Sequence, residues 1–213
     1  MSLHLLRNNP DGSRIAIWEI TENVAELFSL ADVSEKMRSE VESFRSETRK
    51  KEWFTLRILL KNILKVAQPD EIIYDETGKP HLKNGNGHIS FSHAKNFAAI
   101  IFHPDKSAGI DIETLRERIE NISHKFVNEE ESSFIKKEKR FESLHIIWGV
   151  KEVLFKIYGK GGLDFKKQMV VHSFVPAEEG RVEAELKTDN RTSSFRINYF
   201  FKKGIILVYG TST

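Results

Sequence analysis

The sequence predicts an α+β fold. Runs of strand-like alternation form hairpins from His88 to Glu113 and again from Met169 to Tyr209, and stretches with helical periodicity stand before and between them. The chain has 213 residues, 39% hydrophobic and 30% charged, enough to bury one core or two small ones.

Taken in order, residues 15 to 20 read as a first strand, and Ser34 to Phe44 and Thr48 to Val66 read as helices. The second helix carries Trp53, Leu56, Leu60, Ile63 and Leu64 along a buried stripe, and Pro69 stops it. Ile72 to Tyr74 reads as a short strand, and Glu76-Thr77-Gly78-Lys79 as a turn before Pro80. Three antiparallel strands follow, His88 to Ser92, Phe97 to Phe102 and Ala108 to Glu113, with turns at Lys95-Asn96 and Pro104-Asp105. Such a meander is expected to bring Ser92 and Asp111 onto one sheet. Asn128 before three glutamates marks a helix start, and Glu142 to Tyr158 a longer helix ended by Gly159. Turns in the last meander are expected at Glu179-Gly180, Asp189-Asn190 and Lys203-Gly204. Lys160-Gly161-Gly162 reads as a tight turn first and as a loop admitting a phosphate second.

Zero cysteines exclude a disulfide scaffold and a thiol nucleophile. The start of the chain has no signal-peptide-like apolar run, and no stretch approaches the ~18 apolar residues that span a membrane, so a cytoplasmic location without a membrane partner is expected. A net charge of +2 gives no global field for nucleic acid; the basic clusters Arg45 to Lys51 and Lys136 to Arg140 read as solvated helix faces.

Chemistry concentrates in two segments. In Gly109-Ile110-Asp111-Ile112-Glu113, strand alternation puts Asp111 and Glu113 on one face and Ile110 and Ile112 on the other. In Trp148-Gly149-Val150-Lys151-Glu152-Val153-Leu154-Phe155-Lys156, Trp148, Glu152 and Lys156 fall on one helical stripe. Trp148 and Phe155 read as core aromatics. Neighbouring carboxylates repel without a cation between them, and an all-oxygen donor set favours Mg2+, which keeps positions for water and phosphate oxygens. Asp111, Glu113 and Glu152 are the candidate metal ligands, with Lys156 placed to neutralise a phosphate oxygen. Singly, each motif is better explained by surface charge.

Together the segments resemble the signature of the Sfp-type 4'-phosphopantetheinyl transferases, G-I/V-D followed later by W-x-x-K-E-x-x-x-K. Gly78-Lys79-Pro80 and Phe91-Ser92-His93 resemble two further motifs of that family, so four motifs in order span residues 78 to 156. Gly149 stands where the family commonly has a small polar residue, and Ala94 where it often has Ser. A shorter, trimeric synthase class opens with the G-I-D strand, whereas here 108 residues precede it.

The resemblance implies two similar lobes, a pseudo-dimer of holo-acyl-carrier-protein-synthase-like subdomains, each a small antiparallel sheet packed with helices, with coenzyme A in the cleft between them. Residues 1–106 would contact the nucleotide end of coenzyme A and residues 107–213 would carry the metal-binding carboxylates. It implies transfer of the phosphopantetheine arm to a serine of an apo acyl or peptidyl carrier protein, with Mg2+ and release of 3',5'-ADP. Catalytic roles fall on Asp111, Glu152 and Lys156, with Glu152 or a metal-bound water that it orients as base. Coenzyme A contacts fall on Gly78, Lys79, Pro80, Ser92, His93 and Lys156, with Arg49, Lys50 or Arg57 as loosely matched partners for the 3'-phosphate. A fused pseudo-dimer would act as a monomer. The competing readings are a Mg2+-dependent nuclease, which the helical spacing of Glu152 and Lys156 disfavours, and a non-catalytic coenzyme A or carrier-protein binding module. Lys136, Lys137 and Lys139 are candidates by charge for meeting an acidic carrier.

Overall fold

A computed structural model describes residues 3–31, 33–65, 72–189 and 191–213. The chain divides into two compact units, Met1–Asp105 and Lys106–Thr213. It is a mixed fold of antiparallel sheets and helices.

In the first unit, β1 (Leu3–Asn8), β2 (Arg14–Glu19), β5 (His88–Ala94) and β6 (Phe97–His103) form a sheet in the order β1-β2-β6-β5, all pairs antiparallel. A separate hairpin joins β3 (Ile72–Tyr74) to β4 (Pro80–Leu82). Helices α1 (Val24–Ala31), α2 (Glu35–Glu42) and α3 (Glu47–Ile58) supply the rest. Ser34 caps α2 by accepting from the Met37 N–H, and Ser46 caps α3 by accepting from Arg49. Trp18, Leu27, Trp53, Phe54, Leu59, Leu60 and Ile100 meet in one core.

The helix expected to run from Thr48 to Val66 changes character partway. It is α-helical to Ile58, widens to a π-helix over Leu59–Leu64 and stops at Lys65, whose φ of 53° is left-handed. The expected stop at Pro69 lies outside the described residues. Nothing in the sequence reading anticipated β1 or α1.

The second unit is built on a five-stranded antiparallel sheet in the order β7-β11-β10-β9-β8. Its strands are β7 (Ala108–Thr114), β8 (Met169–Val171), β9 (Glu179–Thr188), β10 (Arg191–Lys202) and β11 (Ile205–Thr211). Helices α4 (Arg118–Ile122), α5 (Glu129–Phe134) and α6 (Arg140–Tyr158) accompany it. Gly159, at φ 68°, ends α6 as a left-handed C-cap. Lys203 and Gly204 both take positive φ and close the β10–β11 hairpin.

Two expectations are corrected here. Ser92 and Asp111 do not share a sheet: Ser92 pairs across to Ala99 in the first unit, whereas Asp111 pairs to Val208 in the second. The chain passes from one unit to the other between β6 and β7, so neighbours in sequence here are not neighbours in hydrogen bonding. Glu179-Gly180 is not a turn but the start of β9, paired to Phe200 and Tyr199. A Cβ on Gly180 would lie 2.7 Å from the Tyr199 hydroxyl, so this glycine answers close packing under a ring rather than a bend. Asn190 of the expected Asp189-Asn190 turn lies outside the described residues.

Helix α6 seats directly on β7 and β11, and two glycines set its height. A Cβ on Gly149 would stand 2.4 Å from Val208 Cγ2, and one on Gly109 would stand 2.5 Å from the Val153 carbonyl oxygen. Ile146, Ile147, Val150, Val153 and Leu154 fill the interface and are fully buried. A buried charge fixes the helix along its axis. Lys151, 0% exposed, donates to the Phe126 carbonyl at 2.6 Å, the Phe165 carbonyl at 2.9 Å and Glu131 Oε2 at 2.8 Å, with Glu131 Oε1 also 2.8 Å away as ion-pair partner. Glu131 in turn accepts from the backbone N–H groups of Asn128 and Val171, each at 2.9 Å, the first completing the capping box of α5. Burial lowers the Lys151 pKa and Glu131 opposes that shift. Breaking such a pair by removing one partner costs about 3–5 kcal/mol.

The glycine seating gives a specific expectation. Gly149→Ala should destabilise the protein by about 1–3 kcal/mol, despite the better helix propensity of alanine, because the added methyl overpacks Val208. Urea unfolding measures this, and adding Val208→Ala should recover part of the loss; a stabilising Gly149→Ala would show that the helix sits further from the sheet.

Candidate functional site

The second unit gathers the charged residues of the two principal motifs. Strand β7 is at the edge of its sheet, yet Asp111 is only 5% exposed because α6 covers it. Lys156, in the last turn of α6, donates to Asp111 Oδ1 at 2.8 Å and to the Ile110 carbonyl at 2.7 Å. Strand and helix are thereby joined by a charge-assisted bond at the point where the acidic and basic motifs meet.

Glu113, two residues along β7, is half-buried and hydrogen-bonds the Trp148 side chain, one turn before Glu152 on α6. Trp148 is therefore more than packing: its ring contacts Phe126 and Phe165 while its indole N–H donates to a site carboxylate. The regular spacing of Trp148, Glu152 and Lys156 was the signal for this stripe, but not for the hydrogen bond. Burial pushes the Glu113 pKa up and Asp111 adds to the shift, while the Trp148 bond, Lys156 and Arg116 oppose it. Burial likewise pushes Glu152 up, to about 7, with Asp111 and Glu113 adding repulsion and Lys156 opposing.

These four groups thus lie within electrostatic reach of one another. Among the described residues, however, no set of three His, Asp or Glu side chains is arranged to hold a metal ion as the side chains stand. Asp111 has Lys156 as counter-charge, and Glu113 has Trp148 as donor. The donor chemistry nevertheless suits a hard cation, since it is all carboxylate oxygen and, at two of the groups, neighbouring carboxylates add to the pKa rise that burial causes. Magnesium keeps much of its coordination as water, so it does not need a closed protein cage.

The first unit holds the other motifs. Asp75 organises the Gly78-Lys79-Pro80 turn. Its Oδ1 accepts from the Thr77 hydroxyl at 2.6 Å and from the Thr77 and Lys79 N–H groups at 2.9 and 3.0 Å, while Oδ2 lies 2.7 Å from His81 Nε2. The Thr77 hydroxyl and His81 hold the Asp75 carboxyl well below the usual carboxylate range. Gly78 takes φ 81°, which the turn requires, and Pro80 opens β4 opposite Tyr74. Burial lowers the Lys79 pKa and Asp75 opposes this. Sequence reading did not single out Asp75, although an Asx turn before Thr-Gly is a recognisable signal.

On β5, Ser92 is buried and His93 points to the partly exposed side, its Nε2 3.2 Å from Glu52 Oε2. Arg49 reaches the same oxygen at 3.6 Å. Arg57 is different: it is 3% exposed, its guanidinium carbon lies 3.3 Å from the Trp53 ring centroid and it hydrogen-bonds Tyr74. Burial lowers its pKa to about 10. It is a packed cation rather than a surface one.

Residues 107–203 match the model of the 4'-phosphopantetheinyl transferase superfamily, a superfamily of transferases and the one that the motifs resemble. The matched stretch contains Asp111, Glu113, Glu152 and Lys156 and ends before β11. No curated protein matches the chain. Among the described residues, no helix is long and apolar enough to cross a membrane.

The raised pKa of Glu152 has a measurable sign. Between its ordinary value of 4.5 and about 7, the folded state holds a proton that the unfolded state releases, so stability falls as pH rises through this window and the cost is complete above it. Glu152→Gln should remove that loss, leaving the metal-free protein more stable at pH 8 by on the order of 2 kcal/mol. Urea unfolding at pH 5 and pH 8 checks this; equal pH dependence in both proteins would contradict the assignment.

Proposed function

We propose that the protein is an Sfp-type 4'-phosphopantetheinyl transferase, moving the phosphopantetheine arm of coenzyme A to a serine of an apo acyl or peptidyl carrier protein. The observation that carries this reading is the meeting of Asp111 and Lys156, with Glu113 and Glu152 in electrostatic reach, inside the stretch that matches the superfamily.

In this reading the serine oxygen attacks the β-phosphorus of coenzyme A. A new P–O bond forms, the bond from that phosphorus to the bridging oxygen breaks, and 3',5'-ADP leaves with the electron pair. The serine proton passes to Glu152 or to a water that it orients. Lys156 keeps two N–H bonds on strand β7, has a third N–H to offer and a partly exposed side chain, so it can hold a pyrophosphate oxygen without leaving its seat. Positioning and electrostatics dominate such a transfer. Asp111, Glu113 and Glu152 would hold Mg2+, which when bound neutralises charge on the pyrophosphate.

The first unit would take the nucleotide end. Lys79 stands on a turn fixed by Asp75, and Ser92 and His93 follow each other on β5. The assignment of residues 1–106 to the nucleotide and 107–213 to the metal follows, as does the pseudo-dimeric kinship of the two units. Lys136, Lys137 and Lys139 are exposed before α6, and an acidic carrier surface would suit them. A cytoplasmic monomer fits the reading.

Asp111→Ala and Glu152→Ala should each lower the rate of transfer to an apo carrier by about a hundredfold or more, with circular dichroism unchanged. Magnesium should raise the melting temperature of the unaltered protein at pH 8 and have little effect on Glu152→Ala. Turnover retained in either variant would overturn the proposal.

A further inference from the structure

Resting on the proposed function, one buried acid acquires a role that neither the motifs nor the superfamily match assigns. Glu52, on α3, is 8% exposed. A carboxylate so buried requires partners, and two of its partners come from different places in the fold: the His93 imidazole of β5 at 3.2 Å and the Arg49 guanidinium one helical turn away at 3.6 Å. Both approach the same oxygen, Oε2. The acid is hidden, but the side chains that it holds are not, His93 being 41% and Arg49 50% exposed.

Beside Glu52 lies a cavity of about 210 Å³ whose lining includes Ile20, Glu47, Lys51, Glu52, Lys95 and Asn96. It is smaller than the ~300–1,000 Å³ of sites that enclose whole ligands, so it suits one substituent of a larger molecule. Glu47 pairs with Lys51 at 3.3 Å, and the two acids of the lining are balanced by its two lysines. Outside that lining, the Arg49 guanidinium and the His93 ring Nε2 are held to Glu52 Oε2.

We infer that Glu52 is a positioning residue: by anchoring His93 and Arg49 through one buried oxygen, it presents both to the 3'-phosphomonoester of the coenzyme A nucleotide and makes the enzyme select for that phosphate. The physical gain is preorganisation. A long arginine side chain and an imidazole are fixed before the ligand arrives, so less freedom is lost on binding. A glutamine at this position keeps the shape but loses the charge that faces the Arg49 guanidinium and the His93 ring.

The test compares coenzyme A with 3'-dephospho-coenzyme A as co-substrates for transfer to an apo carrier, using the full chain. Glu52→Gln should raise KM for coenzyme A about tenfold, the scale of one charge-assisted hydrogen bond, with kcat little changed and KM for the dephospho compound unmoved. His93→Ala should act in the same direction, and combining it with Glu52→Gln should add less than the product of the single effects. Glu52→Asp, which keeps the charge, should restore part of the preference. An equal rise in KM for both co-substrates, or no rise, overturns the role of Glu52 while leaving the transferase reading intact. If the unaltered chain transfers nothing, affinity for the two compounds is read by calorimetry with the same variants; absence of any coenzyme A binding overturns both the transferase reading and this assignment.

Discussion

The close approach of α6 to β7 and β11 is the constraint on which the second unit depends. Gly109 and Gly149 remove the two methyl groups that would hold the helix off the sheet. Because the sheet pairs Asp111 with Val208, and Val208 is the residue that Gly149 lies against, the contact that sets helix height is next to the acid that the helix must cover. Lys156 then spans from α6 to Asp111 and Ile110 without stretching. The departure of Gly149 from the more common small polar residue of the resembled family has a packing reason of this kind.

Lys151 completes the arrangement from the opposite direction. Within one motif, Lys151 is wholly buried and Lys156 partly exposed, so two lysines five residues apart do opposite work. Lys151 is bound by Glu131 and two carbonyls, which ties α6 to the start of α5 and, through the Val171 N–H, to β8. A buried ion pair contributes little net stability compared with apolar packing, but it allows few alternative placements of the helix. Fixed rotation and fixed height together keep Glu152 and Lys156 on the strand carrying the acids. Burial raises the carboxyl pKa values at Glu113 and Glu152, and the neighbouring acids add to the rise.

What the sequence disclosed divides by range. Helix α6 and strand β7 were legible because their periodicity is local, and Asn128 with Glu131 announced the start of α5 from four residues alone. Sheet membership was not legible: β7 pairs with β11, some ninety residues on, and no local pattern near Asp111 distinguishes that partner from β6. Gly180 looked like a turn because the residue packed over it, Tyr199, is far along the chain. The same limit hid parts of the candidate site. Glu52 reads as one more charge in a basic helix until the fold brings β5 beside it, and Trp148 reads as core until Glu113 is seen at its indole. The charged stripe Trp148, Glu152, Lys156 was visible because it needs only the pitch of a helix.

The central claim is that this arrangement transfers a phosphopantetheine arm. Intact mass measurement of apo carrier proteins, incubated with the protein, coenzyme A and magnesium, tests it most directly. The account predicts that a carrier gains the mass of one phosphopantetheine arm on its serine, that 3',5'-ADP appears in equal amount, and that EDTA prevents both. Absence of any mass gain across acyl and peptidyl carriers, from a sample that also fails to bind coenzyme A, would contradict it.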